Sequence, residues 1–363
     1  MEQGHADSTG GRKAQLLDIN PTQGCVIGLT FSSRGVASAW ADLKANVHNV
    51  KSYPFVPSQG REKALETLYE AAGHQLRDTS RNAAGRPVVQ VGVGLSGLLN
   101  VQAGISHAFP RFDEWVDVPL RDLLEQRFGI PVVMDNHIAA VALTEHIFGK
   151  CRGIDNTLYI QLGPGLGVGI IIGGQIYRGS RLTVGEFGHT TITEDGPICY
   201  CGNYGCLESI ASDYALIQQA ELALRESVNT RILEFSSEPN KITLNAIFRA
   251  AQAGDRLANN LVEKVGRMLG TAIANLVNLF GPETIILGGT MAQAGEILLN
   301  PLCQTLRGKS LARMESDLKV STSSFGDDEA IKGALTLALF EYLSRDIEAR
   351  IPNMNASLMN PPE

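Results

Sequence analysis

Nowhere in the 363 residues is there an apolar run long enough to cross a membrane. The first residues, MEQGHADSTGGRK, also lack the apolar core of a signal peptide. Together these absences make the cytoplasm the expected location. Charge is sparse: 19% of residues are charged against 44% hydrophobic, a balance that excludes a disordered chain. The net charge of −7 excludes an extended nucleic-acid surface on these residues. Cysteines number only six, and Cys25, Cys151 and Cys303 stand scattered in apolar surroundings as expected core residues. A chain of this length is more than one core usually serves, so two lobes are expected.

The other three cysteines stand together. In GEFGHTTITEDGPICYCGNYGCLES (185–209), His189 precedes Cys199, Cys201 and Cys206, which form a Cys-x-Cys-Gly-x-x-Gly-Cys loop. One imidazole and three thiols match a tetrahedral zinc site, and closure by protein ligands marks a structural Zn2+. Gly202 and Gly205 let so short a loop turn without a side-chain clash. The alternatives are disulfides or free core thiols. A reducing compartment keeps thiols free, which favours the metal.

Strand and helix patterns alternate along the chain. CVIGLTF (25–31) and VASAWADL (36–43) predict a hairpin, VVQVGVGLS (88–96) a buried strand, and PVVMDN (131–136) a strand leading into a helix. From Asn156 onward, TLYIQLG and VGIIIGGQIYRG repeat the opening plan of strand, glycine-rich turn and strand. Leu257, Leu261, Val265, Met268, Leu269, Ala272, Leu276 and Leu279 recur at helical spacing, widened by Ile273, Val277 and Phe280, up to the stop at Gly281-Pro282. TIILGG (284–289) predicts a buried strand, and Glu329 to Ser344 a last helix. The expected organisation is a tail or linker over 1–21 and a first α/β lobe over 22–140, completed by a helix over 329–345. A second α/β lobe over 141–328 carries the metal loop, and 351–363 is a disordered tail.

GEFGH followed by CYCGNYGCLE resembles the signature of the ROK family of repressors and sugar kinases. The likeness extends over about 24–345, through VGVGLSGLLN (91–100), PVVMDN, LGPGLGVGIIIGGQIYRG (162–179) and the stretch from VGRMLG to VNLFGPETIILGG. The resemblance implies an α/β, two-lobed actin-like ATPase fold of the sugar kinase/Hsp70 type, with a ligand cleft between the lobes and a zinc-binding loop. It implies a homo-oligomer, dimer or tetramer, and a small-molecule sugar held by Asn136, Glu186, His189 and Glu208. Sugar hydroxyls both donate and accept, so carboxylates and amides hold them in fixed directions. Zinc on one nitrogen of His189 would leave the other to donate to a hydroxyl. The competing roles are solvated loop carboxylates for Glu186 and Glu208, and a helix cap for Asn136.

Three positions depart from the family's kinases. Those enzymes carry Asn-Asp where this chain has Asn136-His137, and the aspartate is their base; a histidine there can still act as one. Their first phosphate loop reads Asp-x-Gly-Gly-Thr-Lys, against Thr30, Phe31, Ser32, Ser33, Arg34 and Gly35 here. The amide-exposing glycines and the acid that helps place magnesium are gone, which puts ATP and Mg2+ in doubt as cofactors. The second loop keeps Gly163, Gly165 and Gly167 but has Pro164, which offers neither the usual threonine hydroxyl nor an amide donor. AFPRFDEWVDVPL around Phe109 resembles the repressor branch, and STGGRKAQLLDINPTQGCVIGLTF resembles the last wing strand and linker of a winged helix-turn-helix. The resemblance therefore points to a catalytically silent sugar sensor, with an ATP-dependent sugar kinase or a zinc-stabilised scaffold as alternatives. A sugar-transport component is a candidate protein partner, and sequence-specific DNA binding by these residues is not expected.

Overall fold

A computed structural model describes residues 2–5, 15–17, 19–32, 35–83, 85–180, 184–237, 241–312 and 317–350. The chain forms two compact units, Met1–Ala140 with Ala330–Glu363, and Val141–Glu329. The expected tail at 351–363 lies outside the described residues, as do Ser33 and Arg34.

The first unit begins, where a tail was expected, with a two-stranded antiparallel ribbon of β1 (Glu2–His5) and β2 (Gln15–Leu17). β3 (Cys25–Ser32), β4 (Gly35–Asp42) and β5 (Val47–Tyr53) run as an antiparallel meander. α1 (Gly60–Asn82) then returns the chain to β6 (Val88–Leu95), which lies parallel to β3. β7 (Leu98–Asn100), β8 (Ile105–Phe109) and β9 (Phe112–Val118) make a separate antiparallel sheet. α2 (Leu120–Phe128) leads to β10 (Val132–Asn136), parallel to β6, and into α3 (His137–Ile147). The main sheet has the order β10-β6-β3-β4-β5.

In β3, every residue from Cys25 to Phe31 is buried, which explains its unbroken apolar run: a central strand is covered on both faces. On one face Phe31 stacks on Phe109 at 4.4 Å and meets Phe55 and Trp115 edge-on, joining the three-stranded sheet to the main one.

The second unit repeats the plan. β11 (Thr157–Leu162), β12 (Leu166–Ile172) and β13 (Gln175–Ile176) form the meander. The helices α4 (Leu207–Ala211), α5 (Asp213–Arg225), α6 (Leu244–Gln252) and α7 (Arg256–Phe280) follow. β14 (Thr284–Gly288) then lies parallel to β11, and after α8 (Glu296–Lys309) β15 (Lys319–Thr322) lies parallel to β14. The order β13-β12-β11-β14-β15 matches the first sheet's hairpin-plus-two-parallel-strands topology. α9 (Glu329–Arg350) crosses back: from Ala330 it belongs to the first unit, where Ile331, Leu335 and Leu339 cover Val26, Ala39 and Ala41. No helix among the described residues is long and apolar enough to cross a membrane.

α7 buries Val265, Leu269, Ala272, Ile273, Leu276 and Val277 in the second unit's core. Leu279 belongs to the same sequence stripe but is 77% exposed, because the apolar pattern runs one turn past the covered part of the helix. Gly281 ends α7 in the left-handed region at φ 54°, and Pro282 follows. Asp255 caps the other end, accepting from Ala258 N at 2.8 Å while its second oxygen accepts from Arg231 N at 2.8 Å. Desolvation raises its pKa, but the amides of Ala258 and Arg231 and the Thr230 hydroxyl outweigh it and hold the carboxyl below its usual value. A depressed folded pKa contributes stability above the unfolded value, lost as pH falls through the folded one. Asp255→Ala should therefore cost about 1–2 kcal/mol at neutral pH. In urea titrations that difference should shrink below about pH 4, as the wild-type carboxylate is protonated.

Candidate metal centre and ligand-binding loop

The loop after β12 is built by short-range hydrogen bonds. Leu207 N donates to Thr190 O at 2.9 Å, Ile192 N to Gly205 O at 2.9 Å and Gly205 N to Pro197 O at 3.0 Å. Thr191 bridges to Cys206 and Ile198 to Tyr204 in antiparallel fashion, so both arms lie side by side. At the tip Gly202 N returns to Cys199 O at 2.9 Å, which makes Cys199–Gly202 a tight turn. Gly205 has φ +66°, and an added Cβ would lie 1.6 Å from Thr193 O, so no other residue fits.

This folding gathers His189, Cys199, Cys201 and Cys206, whose donor atoms all lie within 4.8 Å of one another. Cys201 Sγ is 3.7 Å from Cys206 Sγ, and Cys199 Sγ is 3.6 Å from His189 Nδ1. A metal bound at ordinary zinc–sulfur and zinc–nitrogen distances sits in a tetrahedron with edges of about 3.5–3.8 Å. The donor set and its spacing therefore fit a metal ion. All six cysteines are free thiols, so the disulfide alternative is not realised.

The electrostatics fit a cation among these donors. Burial, together with the neighbouring sulfurs, pushes the Cys206 thiol up to about 12, and burial also raises Cys199. Exposed Cys201 moves down: its desolvation is outweighed by the Asn203 amide and the other two sulfurs. Three thiols packed this closely cannot all ionise without a positive charge among them.

The proposed sugar contacts fall in different places. Glu186, His189 and Glu208 share the second unit, whereas Asn136 and His137 belong to the first. Glu186 begins a short turn over Phe187–His189; its carboxylate is desolvated by the surrounding protein, which raises its pKa against the pull of His189, while the residue keeps access to solvent. Glu208, on α4, is buried, and its Oε2 accepts from Leu166 N at 3.1 Å, tying the metal loop to the Gly163–Gly165 turn between β11 and β12. Gly188 makes room for it: a Cβ there would stand 2.8 Å from Oε2 and 2.7 Å from Leu166 O. Glu208 thus braces the second glycine loop.

Asn136 caps α3, its Oδ1 accepting from Ile138 N at 2.8 Å. His137 Nδ1 lies 3.1 Å from Leu95 O, which fixes the proton on Nδ1 and leaves Nε2 as the basic nitrogen. In the first glycine-loop position, Thr30 is buried, and Ser32 pairs with Gly35, which leaves two residues between the strands. Tyr200 carries no signal of its own in the sequence. Its hydroxyl lies 3.0 Å from His189 Nε2, and its ring stands edge-on to the imidazole at 5.1 Å.

A model described as "ROK family" matches residues 29–341. The xylose repressor of Caldicellulosiruptor bescii is 30% identical over 344 residues, 95% of this chain and 85% of the repressor. A solved ROK family transcriptional regulator, a homolog of the E. coli MLC protein, superposes with a TM-score of 0.81 at 29% identity over 92% of this chain and 82% of its own. A ROK family glucokinase from Streptomyces griseus, in complex with glucose and AMPPNP, gives 0.75 at 30% identity over 87% of this chain and 99% of its own.

Glu208→Ala removes the acceptor of a buried amide. It should lower unfolding stability by roughly 1–3 kcal/mol, measured by urea titration, and raise hydrogen exchange at Leu166 above that of the flanking Val168.

Proposed function

The chain belongs to the ROK family, and from that premise we propose that it is a sugar-responsive regulator core. It binds a hexose or amino sugar, does not phosphorylate it, and carries a structural zinc at His189, Cys199, Cys201 and Cys206. The observation that carries this is the contrast within one chain. The metal loop is fully assembled with Glu186, His189 and Glu208 around it, while the phosphate-loop positions hold a buried, neutral Thr30 and an amide-less Pro164.

A second feature supports catalytic silence. A cavity of about 170 Å3 in the second unit is bordered by Gly288, Gly289, Gln293, Ser323 and Glu329. Glu329 is buried, and its Oε1 already accepts from Gly289 N at 2.9 Å. Burial raises its pKa, against hydrogen bonds from Tyr159 and Gly289. A phosphate placed here would find the Gly289 amide already taken by Glu329.

Zinc at this site would hold the loop by tying three thiolates and Nδ1 of His189 together, a stabilising role. Sugar binding would then be read by a DNA-binding segment or a protein partner, with the chain acting as a homo-oligomer. The sugar contact of Asn136 is part of the same proposal, in addition to its cap on α3.

Titration calorimetry against glucose, N-acetylglucosamine, N-acetylmannosamine and xylose tests the sensor: saturable binding of one of them is expected, and no heat with any would overturn it. Chelation should release about one zinc per chain, lower the apparent Tm by roughly 5 °C or more, and weaken sugar binding. An unchanged Tm after zinc loss would sink the structural role. The kinase alternative draws on the basic Nε2 of His137. A coupled ADP-release assay should show no sugar-dependent turnover; turnover that vanishes in His137→Ala would reverse the assignment.

A further inference from the structure

Resting on the zinc and sugar readings above, we propose that Cys201 and Cys206 are a modification site for hydroperoxides, and that their oxidation to a disulfide releases the metal and frees His189. The three sulfurs of the loop differ in access. Cys199 is 5% exposed and Cys206 0%, whereas Cys201 is exposed, in the turn that Gly202 N closes on Cys199 O. The exposed sulfur also has a partner in reach: Cys206 Sγ is 3.7 Å away. Closing to the roughly 2 Å of a disulfide is a movement that rotation about the two Cα–Cβ bonds can supply. Four residues lie between the pair, and Gly202 and Gly205 stand at φ 93° and 66°, so the intervening chain already curves back. Cys199 is the poorer partner. It is one residue from Cys201, inside the turn, and its sulfur lies 3.6 Å from His189 Nδ1.

A cysteine that ligates a metal is held as the thiolate, so the nucleophile needs no change of protonation. Cys201 Sγ attacks one oxygen of the hydroperoxide, and the O–O bond breaks. The sulfur becomes a sulfenic acid, and the second oxygen leaves as hydroxide or alkoxide. Cys206 Sγ then attacks Cys201 Sγ, forming the S–S bond and expelling the sulfenic oxygen as hydroxide. The two thiolates lose two electrons in all, and the peroxide gains them. His189 and Cys199 are then the donors left, too few for a closed tetrahedral site. The loop keeps its backbone pairing, Ile192 N to Gly205 O and Leu207 N to Thr190 O, and Glu208 keeps the Leu166 amide. The change is therefore concentrated on His189, whose Nδ1 loses the metal that fixes its tautomer. A sugar contact through His189 weakens while the fold persists.

The test is titration of the zinc-loaded full chain with hydrogen peroxide. Free zinc is read with a chromogenic chelator, thiols are counted after denaturation, and the alkylated protein is mapped by mass spectrometry. Two thiols should disappear for each zinc released, and the map should join Cys201 to Cys206 while Cys25, Cys151 and Cys303 stay alkylated as free thiols. Dithiothreitol with added zinc should restore both thiols and metal. Sugar affinity, measured by calorimetry before and after oxidation, should fall as far as it does on chelation. Zinc retained with all thiols intact at a large excess of peroxide overturns the proposal and leaves the zinc reading standing. So does zinc release with sulfinic acid on Cys201, or with a bridge to Cys199 instead. Sugar affinity unchanged after zinc release overturns the link through His189. A chain that holds no zinc before treatment overturns the zinc reading as well. Absence of sugar binding before treatment counts against the sensor, and the map still decides the peroxide site.

Discussion

Glu208 is a buried carboxylate that accepts from a backbone amide on a different loop, and the packing of the cysteine-rich loop against the β11–β12 turn depends on that contact. It joins α4, which leaves the metal loop at Cys206, to the Gly163–Gly165 turn that ends β11. A buried charge needs such a partner, and the partner in turn fixes the loop that offers it. Gly188 has no side chain because the carboxylate and Leu166 O occupy the space a Cβ would need. The GEFGH and CLES segments are therefore one packed object, although the sixteen residues 190–205 separate them in the chain.

The metal ligands add a second constraint of a different kind. Burial and the neighbouring sulfurs oppose ionisation of Cys199 and Cys206, and a cation among the donors would favour the thiolates and hold the loop. His189 links two parts of the loop, its Nδ1 lying 3.6 Å from Cys199 Sγ and its Nε2 3.0 Å from the Tyr200 hydroxyl. The other candidate chemistry follows the opposite trend. Thr30 is a buried hydroxyl in a strand, Pro164 offers no amide donor, and the Glu329 carboxylate already takes the Gly289 amide.

Elements with long, regular patterns were readable before folding. α7 declared itself through its 3.6-residue stripe and its Gly281-Pro282 stop, and β3 and β14 through unbroken apolar runs. The duplicated meander was visible as a repeated strand–turn–strand pattern, and the two sheet orders bear it out. The three-stranded β7–β8–β9 sheet was not legible, because its strands are short and its aromatics carry no period; Phe109 and Trp115 matter through their contact with Phe31, far away in sequence. The exposure of Leu279 was equally hidden, since a helix can continue its apolar pattern beyond the core that covers it.

By itself the sequence determined the donor set of the metal loop, the glycines that let it turn, the family, and the residue types at the two glycine-loop positions. Each of these is written in residue type and close spacing, which local geometry preserves. Tertiary structure alone decided which groups other side chains face: Glu208 toward the Leu166 amide, Glu329 toward Gly289, and the outer nitrogen of His189 toward Tyr200. The physical reason is that a hydrogen bond depends on direction at about 3 Å, and direction is set by packing between elements that the chain order does not encode.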